Sequence, residues 1–241
     1  MSVTVGLYFC RKTGDTAFMA DTTQLAQLIA TRLCHDLAGP IGAVAAGVEL
    51  VGDDISSMDT ETLDLIGASS AAATHKLKFL RIAFGTAAAV SPASLGELEN
   101  VTRKYLESIA GQSGPPELMW ATSDHLVQLQ DGVGAGAIQL LFNMIILTVE
   151  GMPKCGALTV AVEASAAQAH IAVTARGPKD GAVTVRADII DAITDPSAVL
   201  PSARTAQALY AVALAHELGG ALSMAAQDNE ISATATLRPR P

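Results

Sequence analysis

Aromatic residues and charged residues are both scarce in this sequence. Phe, Trp and Tyr make up 4% of its 241 residues and Asp, Glu, Lys and Arg 16%, whereas half of the residues are apolar. So many apolar side chains and so little charge exclude a disordered chain, because such a chain can bury a substantial core. The shortage of aromatic side chains favours closely packed helices over an aromatic-rich β-sandwich. At this length we expect one large domain or two small ones.

Cysteine is also rare, and basic residues are outnumbered. The three cysteines, Cys10, Cys34 and Cys155, form no CxxC pair. Their odd number and wide spacing fit neither a disulfide framework nor a zinc site, and they suit a reducing cytoplasm. The 15 basic and 24 acidic residues leave a net charge of −9, which argues against binding to nucleic acid or to an anionic membrane.

Long apolar runs and a secretion signal are missing as well. No stretch reaches the roughly 18 uninterrupted apolar residues of a membrane span. The first residues, MSVTVGLYFCRKTG, lack the charged-then-apolar order of a signal peptide. We therefore expect a cytoplasmic protein without membrane contact, in which residues 1–20 form a loosely attached N-terminal extension.

Two long helical patterns follow and predict residues 21–90 as one unit. Apolar residues recur at steps of three and four, which places them on one stripe of each helix. The stripes comprise Leu33, Leu37, Ile41, Val44, Val48 and Val51 in the first helix and Leu63, Ile66, Leu77, Leu80 and Phe84 in the second. The segment GDDISSMD between them indicates a helical hairpin. Because a hairpin cannot bury this seam alone, we expect a homodimer in which two hairpins form a four-helix bundle.

The pattern changes to mixed helices and strands after GTAAAVSPAS, residues 85–94. Residues 91–241 are therefore predicted to form an α/β domain. Its first helix begins with a capping box at Ser94 and Glu97, and further helices are expected at about 135–150 and 202–218. Strands are predicted for PELMWAT, GALTVAVEA, AHIAVTARG, ALSMAAQ and EISATATLRP. The predicted fold class is α+β: a helical hairpin followed by a sheet with its helices on one face.

The first helix carries a histidine beside an aspartate, His35 and Asp36, with Pro40 five residues later. Most helical histidines are solvated or packed residues without a chemical role. Here the apolar stripe lies almost opposite His35, so its imidazole is expected to point to solvent from mid-helix. Pro40 removes a hydrogen bond to the carbonyl of Asp36 and is expected to bend the helix, at a cost of about 3 kcal/mol. Such a costly feature beside an exposed reactive side chain indicates a functional site.

Small residues follow the histidine on the same face. They leave a bare surface, on which a partner can bring a reactive group within about 3 Å of the imidazole. The predicted docking surface comprises Arg32, Ala38, Gly39, Pro40 and Gly42. Gly47 equally suits close packing of the two helices.

These residues carry a family resemblance. HDLAGP resembles the H-[E/D]-x-x-x-P phosphorylation motif of histidine kinase dimerisation domains. RLCHDLAGPIGAVAAGVELV, together with KLKFLRIAFG in the second helix, is similar to the ChpT family of alphaproteobacterial histidine phosphotransferases, over about residues 21–238. The resemblance implies that His35 is phosphorylated and that residues 91–241 resemble the catalytic (Bergerat or GHKL-like) domain of histidine kinases.

The same resemblance shows which ATP-binding residues of a kinase this sequence lacks. Asn143 lies where the magnesium-binding asparagine of a kinase belongs, but Ala175 replaces the aspartate that recognises adenine. The segment SARTAQALYAVAL has no glycine where a glycine-rich phosphate loop is expected. We therefore expect a degenerate domain that does not bind ATP, and a protein that needs no cofactor of its own.

For such a protein the resemblance implies a phosphorelay. A neutral His35 takes a phosphoryl group from a receiver-domain aspartate and passes it to a second receiver, while Asp36 accepts the other ring N–H. The receiver supplies Mg²⁺. The implied partners are the receiver domain of a CckA-like hybrid histidine kinase and CtrA-like response regulators. Candidate contacts to an acidic receiver are Lys76, Lys78 and Arg81 on the second helix.

Three other functions compete with this interpretation. A dimeric scaffold that docks receivers without chemistry has no need of an exposed histidine beside an aspartate. A divergent autokinase requires the missing ATP site. GVGAGA, residues 132–137, fits a dinucleotide-binding turn, but a strand hairpin rather than a crossover follows it, which argues against an NAD-linked enzyme.

Overall fold

The computed structural model describes residues 22–51, 59–85, 94–111, 114–122, 133–165, 168–178 and 186–238. The predictions for residues 1–20, for the turn at 52–58 and for most of the boundary at 85–94 fall outside these ranges. All the structural findings below concern the described residues.

The N-terminal part is the predicted helical hairpin. Helix α1 spans Thr22–Val51 and helix α2 spans Thr60–Phe84. Asp59 caps α2 by accepting a hydrogen bond of 2.6 Å from the backbone N–H of Thr62, and hydrogen bonding to the side chain and the backbone of Thr62 lowers the pKa of the Asp59 carboxyl. Gly47 of α1 is buried against Ile66 of α2, where an added Cβ would lie 2.5 Å from Ile66 Cγ1. Close packing of the two helices therefore accounts for this glycine.

The apolar seam of the hairpin is only partly covered within one chain. Leu33 and Leu37 are half-buried and pack against the main core. Further from that core, apolar side chains on both helices are between 50% and 57% exposed: Ile41, Val48, Leu63 and Leu77. Among the described residues, about a third of the predicted stripe is thus at least half exposed, as expected for a hairpin that cannot bury its seam alone.

The C-terminal part is a five-stranded sheet with helices. Its helices are α3 (Leu95–Ile109), α4 (Val133–Gly151), α5 (Ala187–Thr194) and α6 (Ala206–Glu217), and its strands are β1 (Glu117–Thr122), β2 (Ala157–Ala164), β3 (Ala169–Arg176), β4 (Ala221–Gln227) and β5 (Glu230–Leu237). The strand order is β1-β2-β3-β5-β4. The β1–β2 pair is parallel and the other pairs are antiparallel.

One face of this sheet is covered and the other is open. Buried residues alternate along β2, β3 and β5, and α4 packs against β3 and β5 while α5 and α6 pack against β4. The open face carries polar pairs between neighbouring strands, including Thr174 with Ser232 at 3.1 Å. This arrangement confirms the predicted α+β class and the placement of the helices on one face.

Helix α4 is the central core helix. Its segment Gly134–Gly151 is long and apolar enough to cross a membrane, but 78% of it is buried inside the fold. Leu140, Leu141 and Phe142 are fully buried, and Phe142 contacts Phe79 of α2, with the ring centroids 4.5 Å apart. The hydropathy of α4 is therefore explained by its position between the hairpin and the sheet.

Two features of the C-terminal part differ from the sequence prediction. Helix α5 was not predicted: it has only eight residues, and it is stabilised by burial of Ile189, Ala192 and Ile193. Helix α6 begins at Ala206 instead of at about 202. Ser202 and Thr205 form a turn before it, in which each side-chain oxygen accepts the backbone N–H of the other residue, at 3.0 and 3.3 Å.

Candidate functional site

His35 lies in the middle of α1 and points into solvent. Its side chain is 88% exposed, which is the orientation that the helical periodicity predicts. Its Nδ1 atom lies 3.4 Å from Oδ1 of Asp36. The other ring nitrogen, Nε2, is therefore the one that is open to a partner. An exposed imidazole with one nitrogen near a carboxylate is suited to nucleophilic attack or to proton transfer.

Asp36 also contacts a buried arginine. Its Oδ2 lies 3.6 Å from Nε of Arg32, one turn earlier, and Nη2 of Arg32 donates a hydrogen bond to Glu150 at the end of α4. The Arg32 side chain is only 10% exposed, and this burial lowers the pKa of its guanidinium. Arg32 was predicted to belong to the open docking surface. The structure instead places its charge against two carboxylates.

Because proline has no N–H, Pro40 leaves the backbone carbonyl of Asp36 without its usual helical donor, and a lysine donates to this carbonyl instead. In an uninterrupted α-helix the N–H of residue 40 would donate to the carbonyl of Asp36, and proline has no N–H. Helix α1 continues through Pro40. Lys76 of α2 donates from Nζ to this carbonyl at 3.4 Å. Lys76, predicted as a contact to a partner, thus also has a contact within the chain.

We expect Pro40→Ala to raise the free energy of unfolding by about 2 kcal/mol, since alanine restores the missing backbone hydrogen bond. Lys76→Met should cost about 1 kcal/mol in the wild-type background and clearly less in the Pro40→Ala background, where the Asp36 carbonyl already has a donor. Urea unfolding of the two single variants and the double variant measures this coupling. An equal cost of Lys76→Met in both backgrounds would show that the lysine does not serve that carbonyl.

The bare surface beside His35 is present in the structure. Ala38, Gly39 and Gly42 are exposed, and a Cβ added at either glycine would meet no atom within 4 Å. Packing against the described residues therefore does not explain these two glycines, in contrast to Gly47. The exposed strip of α1 is open to an approaching protein surface.

A cleft of about 670 Å³ opens next to His35, between the hairpin and the C-terminal part. His35 lines this cleft together with residues of both signs, namely Asp36, Glu150, Arg32, Lys76, Arg186 and Arg204. Sequence reasoning missed Arg186 and Arg204. They lie about 150 and 170 positions after His35, and nothing in the sequence signals that α5 and the segment before α6 come near α1. The predicted residues Lys78 and Arg81 are exposed on α2 and do not line the cleft.

The Asn143 side chain is fully buried and engaged inside the protein. Its Nδ2 donates to the carbonyls of Ala83 and Gln139, both at 2.7 Å, and its Oδ1 accepts a hydrogen bond from Gln207. The Asn143 amide, which the family resemblance places at the magnesium-binding position of a kinase, thus joins the end of α2 to α4 and α6. Ala175 is also fully buried. Neither residue is accessible to a nucleotide in this structure.

The described part of the glycine-rich segment 132–137 lies inside α4 and forms no loop there. Gly134 and Gly136 lie within α4, whose described residues begin at Val133. Gly136 packs against Leu218, whose side chain occupies the space of an added Cβ. Helix packing accounts for Gly136. Within the described part of the chain, no group of three or more His, Cys, Asp or Glu side chains is placed to hold a metal ion.

Comparisons with known proteins agree on one family. Residues 95–230 match the family described as the histidine phosphotransferase C-terminal domain. The protein phosphotransferase ChpT of Brucella abortus (strain 2308) is 27% identical over 209 residues, which cover 86% of this chain and 92% of that protein. A solved structure of a bacterial phosphotransferase is 26% identical, covers 90% of this chain and 98% of its own, and superposes with a TM-score of 0.71.

Proposed function

Because this chain belongs to the ChpT family of histidine phosphotransferases, we propose that it relays a phosphoryl group between the aspartates of two receiver domains through His35. Phosphotransfer itself follows from the family. The observation that supports His35 as the carrier is its imidazole, exposed in mid-helix on a bare surface with Nδ1 facing Asp36.

The chemistry requires little from the chain besides a positioned imidazole. Nε2 of His35 attacks the phosphorus of the aspartyl phosphate, the N–P bond forms, and the P–O bond breaks with its electron pair leaving on the receiver carboxylate. The proton on Nδ1 stays there, and Asp36 stabilises the positive charge that develops on the ring. The second receiver reverses these steps with its own aspartate. The Mg²⁺ that such a transfer uses belongs to the receiver.

The partners we propose are receiver domains, first that of a CckA-like hybrid kinase and then those of CtrA-like response regulators. A receiver presents an acidic pocket around its aspartate. Lys78 and Arg81 are exposed on α2, and Lys76, Arg186 and Arg204 line the cleft beside His35. These cations favour the approach of an acidic surface, although the whole chain is acidic. The proposed setting is the cytoplasm, where such receivers are found.

We also propose that two hairpins pair into a four-helix bundle. Ile41 and Val48 are seven residues apart on α1, and Leu63 and Leu77 are fourteen apart on α2, so each pair lies on one stripe. These four exposed side chains form an apolar surface that a second copy of the hairpin covers symmetrically.

Val48→Glu is expected to weaken dimerisation about 100-fold or more, because it places an unpaired carboxylate in the apolar seam. Size-exclusion chromatography with light scattering measures the mass. Leu200→Glu is the matched control: Leu200 is 85% exposed and lies outside the hairpin, so this variant should keep the wild-type mass. A Val48→Glu variant with an unchanged mass at micromolar concentration would contradict the bundle.

The experiment that tests the relay uses a receiver domain that a hybrid kinase has phosphorylated with radiolabelled ATP and that is then separated from the kinase. Mixing it with this protein should move acid-labile, alkali-stable label onto the chain, and a second receiver should then take the label away. A parallel reaction contains labelled ATP alone and should give no label. Label from ATP alone would identify a divergent autokinase. Receiver binding without any label would identify a scaffold.

A further inference from the structure

An ion pair joins the helix that carries His35 to the C-terminal domain. Glu150, next to last in α4, accepts a hydrogen bond from Nη2 of Arg32 in α1. The Arg32 and Glu150 side chains are 10% and 27% exposed. A pair that is this well shielded from water is stronger than an ordinary surface pair, and removal of either charge is felt by the other.

The same arginine contacts the carboxylate beside the histidine. Nε of Arg32 lies 3.6 Å from Oδ2 of Asp36, and Oδ1 of that carboxylate lies 3.4 Å from Nδ1 of His35. One guanidinium is therefore shared by two carboxylates. A continuous line of polar contacts runs from Glu150 through Arg32 and Asp36 to His35.

The way in which Arg32 distributes its N–H groups between Glu150 and Asp36 decides which contacts Asp36 can make. An arginine that faces a single carboxylate tends to bind both oxygens with parallel hydrogen bonds. Here Nη2 of Arg32 donates to Glu150. Only Nε of Arg32 faces Asp36, at a distance beyond a normal hydrogen bond. Asp36 thus keeps Oδ1 for the imidazole and is not fully neutralised by the arginine.

We propose that Glu150 is a positioning residue for His35. By holding Arg32, it leaves Asp36 to accept the Nδ1–H of His35, so that the proton stays on Nδ1 and the lone pair of Nε2 faces the partner. The consequence for phosphoryl transfer rests on the proposed relay, whereas the effect on the imidazole does not. If Glu150 only fastened the two parts of the chain together, its removal would lower stability and leave the ring tautomer unchanged.

The direct test is the tautomer of His35 in Glu150→Gln, which removes the charge and keeps the shape. Two-bond ¹H–¹⁵N correlation spectra distinguish a proton on Nδ1 from one on Nε2, and the His35→Ala spectrum assigns the signals. We expect the variant to shift His35 from the Nδ1–H form toward the Nε2–H form. The matched control is Glu230→Gln, which breaks the 2.7 Å pair with Arg176 within the sheet and should leave His35 as in the wild type. An unchanged His35 tautomer in folded Glu150→Gln overturns the proposal.

A second variant background, Arg32→Gln, tests whether Glu150 acts on His35 through Arg32 or by some other contact. In Arg32→Gln the arginine that Glu150 holds is gone, so adding Glu150→Gln should not change the tautomer further. This double variant also leaves neither charge of the pair buried alone, which protects the test against simple misfolding. A shift of equal size in the Arg32→Gln and wild-type backgrounds overturns the proposed route.

The rate of phosphoryl acceptance is the functional readout. Glu150→Gln should slow transfer from a phosphorylated receiver about tenfold, the size of a moderate coupling between sites, and Glu150→Asp should restore part of the rate. A wild-type chain that accepts no phosphoryl group would refute the relay, while the tautomer measurement would still decide the role of Glu150. If Glu150→Gln shifted the tautomer but accepted the phosphoryl group at the wild-type rate, only the proposed effect on transfer would be refuted.

Discussion

His35→Ala is expected to lower phosphoryl acceptance from a receiver by about 1000-fold or more, since it removes the only atom proposed to form the N–P bond. The side chain is 88% exposed, so its truncation removes little buried surface. We therefore expect the thermal midpoint of the variant to stay close to that of the wild type. Radiolabel transfer and a melting curve on the same preparation measure both quantities.

His170→Ala is the matched control for this variant. His170 is also exposed, but it lies on β3 and contacts Thr236 on the open face of the sheet. Its loss should leave the transfer rate unchanged. If His170→Ala reduced transfer as strongly as His35→Ala, or if His35→Ala kept its label, the carrier histidine would have to be sought elsewhere.

Asn143→Leu is expected to have the largest effect on stability, a loss of about 4 kcal/mol in the free energy of unfolding. The substitution leaves the Ala83 carbonyl and the Gln207 amide without their buried partner. Each unsatisfied buried group costs about 1–3 kcal/mol. For a chain of this size the melting temperature should fall by about 8–16 °C. Urea unfolding and calorimetry measure the two quantities.

Asn100→Leu makes the same chemical change at an exposed position of α3, and we expect it to alter stability by about 0.5 kcal/mol or less. Equal stability of the two variants would show that the buried amide does not fasten α2 to the core. Nucleotide provides a further comparison: if ATP raised the melting temperature of the wild type but not of Asn143→Leu, the asparagine would have kept its binding role.

The position of His35 on its helix could be predicted from the sequence, but the surroundings of Arg32 could not. Helical periodicity determines the angle at which each side chain leaves the helix, so a stripe of apolar residues is enough to turn His35 toward solvent. This angle does not show which residues of other elements pack against the side chain. Arg32 is on the predicted side of the helix, yet it is buried, because Glu150 approaches it from 118 positions away.

For the same reason, the strands could be predicted from the sequence and the short helix α5 could not. Alternating burial along β2, β3 and β5 is a local property, so the sequence was enough to predict these strands. Helix α5 is too short to be stable alone and depends on tertiary burial of its apolar side chains. Because α5 was not foreseen, neither was the approach of Arg186 to the cleft beside His35.

The loss of Asn143 to internal hydrogen bonding and the burial of Ala175 have a thermodynamic consequence. If the chain binds no nucleotide, as the family resemblance implies, it has no source of free energy of its own. Under the proposed relay, its phosphohistidine exchanges only with receivers, and each step runs in either direction. The direction of net flow is then decided by mass action, that is, by the ratio of phosphorylated to unphosphorylated receiver in each pool compared with the equilibrium constant of the transfer. Under the proposed relay, the same surface would therefore phosphorylate a downstream receiver when the upstream kinase is active and dephosphorylate it when the kinase is inactive.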